Sequence, residues 1–387
     1  VVRPGDLDDL VRALEQVLDP DHPGPLAVVP PRWPADLAWP AGAGVMVESS
    51  GSTGQPKLVA LTAAAVRASA QASAEAVGGP GQWLLALPTS QIAGLNVVAR
   101  AVLAGRAPTA LAGSFGAQSF VEATDAMGSG RRYVSLVPTQ LNRLLESPAA
   151  VEALAGFTAV LVGGAQTPQR LAARARTYGL RLIQTYGMAE TCGGIVYDGF
   201  AIAGARVGLA GQSDGPSADG ILKVTGPMLA LGYVGSGAKL RASDGFRVDQ
   251  DGQRWFLTSD LGRIDQTGRI EVLGRADHVI QTGGYKLAPE LLEQVLANHP
   301  DVTQVVVTAV ADQHWGQAVV ALVVPSAPLS LQTLRHWTKT QGQAVWAPRG
   351  LGIVQGVPLN AAGKPDRLAA AGLAQQLQDA GGLERLG

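Results

Sequence analysis

The sequence predicts an α/β protein: a large N-terminal domain of βαβ layers with a small barrel-like subdomain, then a small α+β C-terminal domain. Three observations predict it. Between residues 45 and 207, apolar runs of strand length alternate with helical patterns, which is how parallel βαβ units read. From Ile221 the pattern changes to short strands and glycine-rich turns, and after Gly274 to an apparently separate unit. At 387 residues, the chain exceeds the size that one core usually serves. The division is placed at 1–274 and 275–387.

Taken in order, residues 6–18 read as an amphipathic helix ended by Pro20. A proline-rich link follows through Pro40, with Trp33 and Trp39 expected on a surface groove. Residues 45–47 form a buried strand, and 61–76 an alanine-rich helix. Strands are expected at 83–87, 133–137, 159–162 and 182–186, with helices at 92–103, 140–145 and 168–178. Short strands follow at 221–225, 255–258, 262–265 and 269–273. The last unit has a helix at 289–298, strands at 305–310 and 318–324, and a helix at 331–340.

Composition narrows the function classes. Hydrophobic residues make up 47% and charged residues 16%, which suits a well-buried protein rather than a disordered chain. A net charge of −1 gives no reason to expect nucleic acid as a partner. The one cysteine, Cys192, rules out an internal disulfide framework and a cysteine-rich zinc site, and small-residue packing is its expected role. No apolar run reaches membrane-span length and residues 1–6 do not read as a signal peptide, so no membrane insertion is expected and the cytoplasm is the expected compartment. Of 30 basic residues only six are lysines, and Lys57, Lys286 and Lys364 stand in glycine-rich contexts.

The densest motif is Ser49-Ser50-Gly51-Ser52-Thr53-Gly54-Gln55-Pro56-Lys57. Hydroxyls, backbone N–H groups, glycines and a lysine in one loop suit a polyphosphate. Its spacing is not that of the common P-loop, because two residues separate the glycines and a proline precedes the lysine. Further motifs fall where strands end. Gly163-Gly164-Ala165 would let a flat base approach the backbone. Tyr186-Gly187-Met188-Ala189-Glu190-Thr191 places a ring and a carboxylate nearby. Thr258-Ser259-Asp260 offers an acceptor for ribose hydroxyls, although a strand-end aspartate is often only a helix cap. Gly274-Arg275-Ala276-Asp277 joins the units, Gly283-Gly284-Tyr285-Lys286 opens the second, and the run from Asn360 to Arg367 carries Lys364 between a glycine and a proline.

In this order the motifs resemble those of the adenylate-forming superfamily: acyl-CoA synthetases, peptide-synthetase adenylation domains and luciferases. The resemblance covers nearly the whole chain after Val45. Within the superfamily, the short length, residues 135–141 and residues 186–194 look most like the actinobacterial o-succinylbenzoate–CoA ligases of menaquinone synthesis. The resemblance implies a mobile C-terminal domain, and ATP, Mg²⁺ and coenzyme A as cofactor and co-substrates of a carboxylic acid. It implies that Ser49, Ser50, Gly51, Ser52, Thr53, Gly54 and Lys57 hold the β- and γ-phosphates. Gly163, Gly164 and Ala165 would frame the adenine with Tyr186, next to Gly187 and Met188. Glu190 would bind Mg²⁺, Asp260 the ribose and Arg275 the ribose or phosphates, with Asp277 as the hinge. Lys364 would serve adenylation at the α-phosphate, and Gly283 and Gly284 would line the thiol channel. Lys364, Glu190 and Lys57 are the expected catalytic residues.

For the acyl pocket, Gln91, Thr139, Gly187 and Arg100 are candidates, although Arg100 could equally lie on the surface. Two positions depart from the family pattern: Ala189 stands where a hydroxyl residue is usual, and Gln91 where a histidine is usual. Two rival readings follow, an adenylation enzyme that loads a carrier protein in trans and a nucleotide-binding pseudoenzyme. A homodimer is compatible with each.

Overall fold

A computed structural model of the chain describes residues 6–21, 26–28, 33, 39–49, 57–210, 219–235, 240–241, 245–341, 346–360 and 364–386. The chain divides into two compact units. The first comprises Val1–Thr167, Ala172–Thr258 and Ile264–Glu271; the second comprises Pro168–Leu171, Ser259–Arg263 and Val272–Gly387. Among the described residues, no helix is long and apolar enough to cross a membrane.

The first unit is built on a seven-stranded sheet in the order Phe200–Ala201, Gly193–Tyr197, Leu182–Met188, Ala159–Val162, Arg132–Leu136, Gln82–Leu85, Thr109–Ala110. The last five of these run parallel, and Gly193–Tyr197 turns back antiparallel to Leu182–Met188. Ala159–Val162 is buried throughout, as a central strand covered on both faces must be. The Ile92–Leu103 helix is apolar nearly all round and buries eight consecutive residues from Gly94 to Ala101. Beside it lies Ala63–Val77, whose small residues permit close approach. Its buried Ser69 donates to the Cys192 carbonyl at 2.7 Å, and Ser73 pairs with the Tyr197 hydroxyl at 2.7 Å.

The phosphate-loop flanks fold differently from the sequence expectation. Lys57–Leu61 is a strand, antiparallel to Val45–Ser49, and the helix begins only at Ala63, after Thr62 caps it. The motif therefore joins two antiparallel strands rather than a strand and a helix. Leu58, Val59, Ala60 and Leu61 are all buried, so this short apolar run fits either period and the sheet decides it. Trp33 and Trp39 are half-buried. They pack against the buried cluster of Ala43, Met46, Leu58 and Ala60, with Trp33 Nε1 donating to Glu48 at 3.2 Å and Trp39 Nε1 donating to the Ala43 carbonyl.

The region after 219 is antiparallel, beginning with Arg206–Ala210 against Asp219–Thr225. The two strands expected at 255–258 and 262–265 are one continuous strand, Arg254–Ile264. Asp260 therefore sits in mid-strand rather than at a strand end.

The second unit carries a six-stranded sheet in which Val302–Asp312 pairs antiparallel with Gly316–Pro325. Both strands read as near-continuous valine runs because each face is covered. Val307, Val319, Ala321 and Val323 join a core with Leu292 and Leu296 of the Pro289–Ala297 helix and Leu331 and Leu334 of Leu331–Thr340. Val306, Val310, Val320 and Leu322 alternate to the other face, under Ala370 and Ala374 of the Arg367–Asp379 helix.

Candidate active site

In the first unit the structure gathers a lysine, a tyrosine and a glutamate from three distant segments. Register places Ser49 opposite Lys57 at the open end of their strand pair. Residues 50–56, with Ser50, Gly51, Ser52, Thr53 and Gly54 among them, lie outside the described residues. The strand Gly232–Val234 pairs with Lys57–Leu61, setting Tyr233 opposite Val59. From there the Lys57 ammonium lies 4.6 Å from the centre of the Tyr233 ring, and the Tyr233 hydroxyl donates to Glu190 Oε1 at 2.7 Å. Glu190 is buried, and its carboxylate therefore needs that bond.

Local chemistry explains where Glu190 points. It lies in the 3₁₀ turn Ala189–Thr191, directly after Leu182–Met188. Thr191 closes the turn, accepting from Met188 N at 3.0 Å and donating to the Gly193 carbonyl at 2.7 Å. Ala230 N donates to the Glu190 carbonyl at 2.9 Å, and Arg254 pins the same segment by donating to the Ala230 and Leu231 carbonyls at 2.7 and 2.8 Å. Burial lowers the Arg254 pKa from its ordinary value. Gly187 is required because a Cβ there would sit 1.9 Å from the Gly193 carbonyl oxygen, at the register shift between the strands. Tyr186, Gly187 and Met188 are half-buried, and Ala189, where a hydroxyl residue is usual in the family, is buried.

At the neighbouring strand end Gly163 is half-buried, with Gly164 and Ala165 exposed. Their glycine character has an internal cause. A Cβ on Gly163 would lie 2.3 Å from Thr185 Oγ1, and Gly164 has φ +81°. Gln91 is half-buried at the start of Ile92–Leu103, and Thr139 is exposed beside Gln140. Gln140 ties two strand ends together, accepting from Val137 N at 3.0 Å and donating to the Ala86 carbonyl at 2.9 Å.

Arg100 is buried. It is nine residues along the helix from Gln91, about 13 Å at the helical rise per residue. Its guanidinium stacks 4.9 Å from the ring centre of Trp83 and donates to the Tyr197 hydroxyl at 3.2 Å. The Tyr197 hydroxyl that it reaches would lie 3.4 Å from a Cβ on Gly194, and Gly194 pairs with Gly187. Arg100 is not a surface residue, and Tyr197 links it to the strand that pairs with the one carrying Gly187.

In the second unit Asp260 is buried and accepts from Arg275 Nη1 at 3.2 Å. Arg275 also grips Asp277 with two bonds, Nε to Oδ1 at 2.8 Å and Nη2 to Oδ2 at 2.7 Å. Burial works against this charge, but Asp277 and Asp260 outweigh it and raise the Arg275 pKa. Gly283 has φ +55° and must be bare, since a Cβ would sit 2.4 Å from the Trp315 ring, whereas Gly284 at φ +82° faces open space. Lys364 is half-buried. Its N–H donates to Asn360 Oδ1 at 3.1 Å, and its carbonyl accepts from Asn360 N at 2.8 Å. Sequence reasoning missed Tyr233 and Arg254, which carry no pattern of their own and matter only through the strands they join.

The AMP-binding enzyme family model matches residues 36–234, and the AMP-binding enzyme C-terminal domain model matches 291–364. The chain is 40% identical over 332 residues to the probable 2-succinylbenzoate–CoA ligase of Mycobacterium tuberculosis, covering 84% of this chain and 83% of that protein. This chain belongs to the AMP-binding enzyme family. Lys57, Tyr186, Glu190 and Tyr233 fall inside the AMP-binding match and Lys364 inside the C-terminal one, while Asp260, Arg275, Asp277, Gly283 and Gly284 lie between the two. Another AMP-binding relative, the 2-succinylbenzoate–CoA ligase of Bacillus licheniformis, is 30% identical over 339 residues, 83% of this chain and 68% of that one. Among solved structures, o-succinylbenzoate CoA synthetase from Bacillus subtilis in complex with the acyl-adenylate intermediate matches with a TM-score of 0.71 and 28% identity, over 86% of this chain and 69% of that one. The amide bond synthetase of Marinactinospora thermotolerans matches with a TM-score of 0.73 and 27% identity, over 86% and 70%. Both matches place the AMP-binding fold over 86% of this chain.

Proposed function

We propose that this chain is an ATP-dependent acid–CoA ligase that converts o-succinylbenzoate, ATP and CoA to o-succinylbenzoyl-CoA, AMP and diphosphate. The observation that carries the reading is the 40% identity, over 84% of this chain, to a protein named a probable 2-succinylbenzoate–CoA ligase. The work is taken to divide at 274/275 between an ATP- and acyl-binding domain and a mobile domain carrying the lysine. The cytoplasm, which supplies ATP and CoA, is the proposed compartment. A homodimer remains compatible with the reading.

A carboxylate is a poor acyl donor because its leaving group would be oxide. Attack of its oxygen on the α-phosphorus of ATP expels diphosphate and leaves an acyl-adenylate, from which the CoA thiolate displaces AMP. Two anions meet in the first step, so a cation at the reacting oxygens is the main help a protein can give. Lys364 is assigned that position. Lys57 and the loop from Ser49 take the β- and γ-phosphates. Gly163, Gly164 and Ala165, with Tyr186, Gly187 and Met188, frame the adenine. Asp260 and Arg275 hold the ribose and phosphates, Asp277 is the hinge, and Gly283 and Gly284 line the thiol path. Gln91, Arg100, Thr139 and Gly187 are the acyl-side candidates.

Glu190 fits a Mg²⁺ ligand. It is a hard oxygen donor, with Oε1 held by Tyr233 and Oε2 given no bond by the described residues. When bound, the ion neutralises charge on the departing diphosphate. The residues of this chain orient the acid and ATP and hold that carboxylate beside the Lys57–Tyr233 pair.

The test incubates the protein with ATP, Mg²⁺ and candidate acids, with and without CoA. We expect diphosphate release that depends on o-succinylbenzoate, and a thioester once CoA is added. Release that depends on no acid refutes the enzyme reading, and release without thioester transfers it to a carrier-loading enzyme. Lys364→Ala is expected to lose adenylation by about 10²-fold or more while still forming thioester from preformed adenylate. Equal loss of both steps removes Lys364 from its assigned role.

A further inference from the structure

Arg367 is the first residue of the Arg367–Asp379 helix, where a cation opposes the helix dipole and needs compensation. The structure supplies it in full. Both terminal nitrogens fork onto Glu293, with Nη1 on Oε1 and Nη2 on Oε2 at 2.8 Å. Nη2 also reaches Glu290 Oε1 at 3.2 Å, and Nη1 donates to the Val307 carbonyl at 2.9 Å. Val307 N in turn donates to Glu293 Oε1 at 2.7 Å. Glu290 and Glu293 both belong to the Pro289–Ala297 helix and are largely buried, at 16% and 15% side-chain exposure.

This anchor lies three residues beyond Lys364, at the base of the segment that presents it. The arms of that segment pair across Leu359 and Pro365, and Asp366 N donates to the Pro358 carbonyl at 2.9 Å. Asp366 also caps the helix, accepting from Ala369 N at 3.0 Å. The backbone around Lys364 is therefore cinched locally. Val357 N, donating to Gln304 Oε1 at 3.2 Å, ties the entry to this segment, and the Arg367 fork ties its exit to the Pro289–Ala297 helix. The same helix holds the linker, because Glu290 Oε1 bonds His278 Nδ1 at 2.7 Å.

We propose that Arg367 is a positioning residue for Lys364: its fork on Glu293 and Glu290 seats the paired arms 358–360 and 364–366 against the Pro289–Ala297 helix and so fixes where the lysine is presented. The proposal rests on the assignment of Lys364 to adenylation. A residue that acts only by placing another has no effect once the other is gone.

The experiment is a double-mutant cycle on the full chain, following acid-dependent diphosphate release and thioester formation from preformed adenylate. Arg367→Gln is expected to slow adenylation about 10–100-fold, the cost of misplacing a reacting group, and to leave thioester formation near the unsubstituted rate. In the Lys364→Ala background the same substitution is expected to add nothing. Multiplying losses in the double variant, or equal loss of both half-reactions, overturns the proposal. Arg367→Lys, which keeps the charge but cannot fork, is the variant to use if the glutamine form folds poorly, and it is expected to fall between the two. Amide exchange at Asn360, Lys364 and Asp366 gives a readout independent of turnover. It is expected to accelerate in either variant while exchange in the Leu331–Thr340 helix stays unchanged, and unchanged exchange at all three amides overturns the proposal even if the unsubstituted protein adenylates no acid. A protein without adenylation but with the exchange effect refutes the function reading alone.

Discussion

Cys192 sits beside the proposed nucleotide site yet is built into the packing. It is fully buried with φ +51°, and its carbonyl accepts from Ser69 at 2.7 Å and Asn96 at 2.6 Å. Burial pushes its thiol up to about 12, so no thiolate is available near neutrality. The native protein should therefore resist iodoacetamide at about pH 8, and mass spectrometry should find carbamidomethyl-Cys192 only after denaturation. Labelling at the same rate in the folded state would contradict this burial. Packing was legible for Cys192 because a lone cysteine behaves as a small hydrophobe. Arg100 was less legible, since its residue type fits a surface as well as a pocket, and only packing against Trp83 and Tyr197 buries it.

Among the elements, those bounded by strong turn chemistry were read closely. Ile92–Leu103, Ala159–Val162 and Leu331–Thr340 have the bounds their sequences predict. Lys57–Leu61 was misread because an apolar run of five lacks a period, and Arg254–Ile264 because polar Ser259 and Asp260 interrupt its apolar pattern. The strand pair Leu182–Met188 and Gly193–Tyr197 depends on a bare Gly187. Gly187→Ala must push the strands apart, and a loss of about 1–3 kcal/mol is expected, read as a melting midpoint several degrees lower. Glu190 follows three residues later, so diphosphate release should fall with it. A variant of unchanged midpoint and rate would show that the strands absorb the methyl group.

Across the whole molecule, charge pairs join segments that local patterns do not relate. Arg367 meets Glu290 across 77 residues and Glu293 across 74, and Tyr233 meets Glu190 across 43. Their acid response can be worked out by sign. Burial raises the Glu290 pKa, but the His278 bond and Arg367 outweigh it, so the folded-state value is lowered from 4.5. Its contribution to stability is therefore full above its unfolded pKa and lost as the pH falls through the lower folded value. Glu293 runs the other way, because burial raises its pKa despite the fork. Glu290→Gln should therefore flatten the fall in unfolding free energy between about pH 5 and pH 3, followed by urea titration at each pH. An unchanged slope would remove Glu290 from the acid response.

The sequence by itself determined the α/β class, the succession of most elements and the family, because periodicity, turn residues and short motifs are local properties carried along the chain. Only the tertiary structure decided that the phosphate-loop lysine opens a strand, that Tyr233 joins it to Glu190, that Arg100 is buried against Trp83 and Tyr197, and that Arg367 pairs with Glu290 and Glu293. Those outcomes depend on strand register and on buried charges finding partners across long sequence separations. Desolvation makes such pairing obligatory without naming the partner in advance.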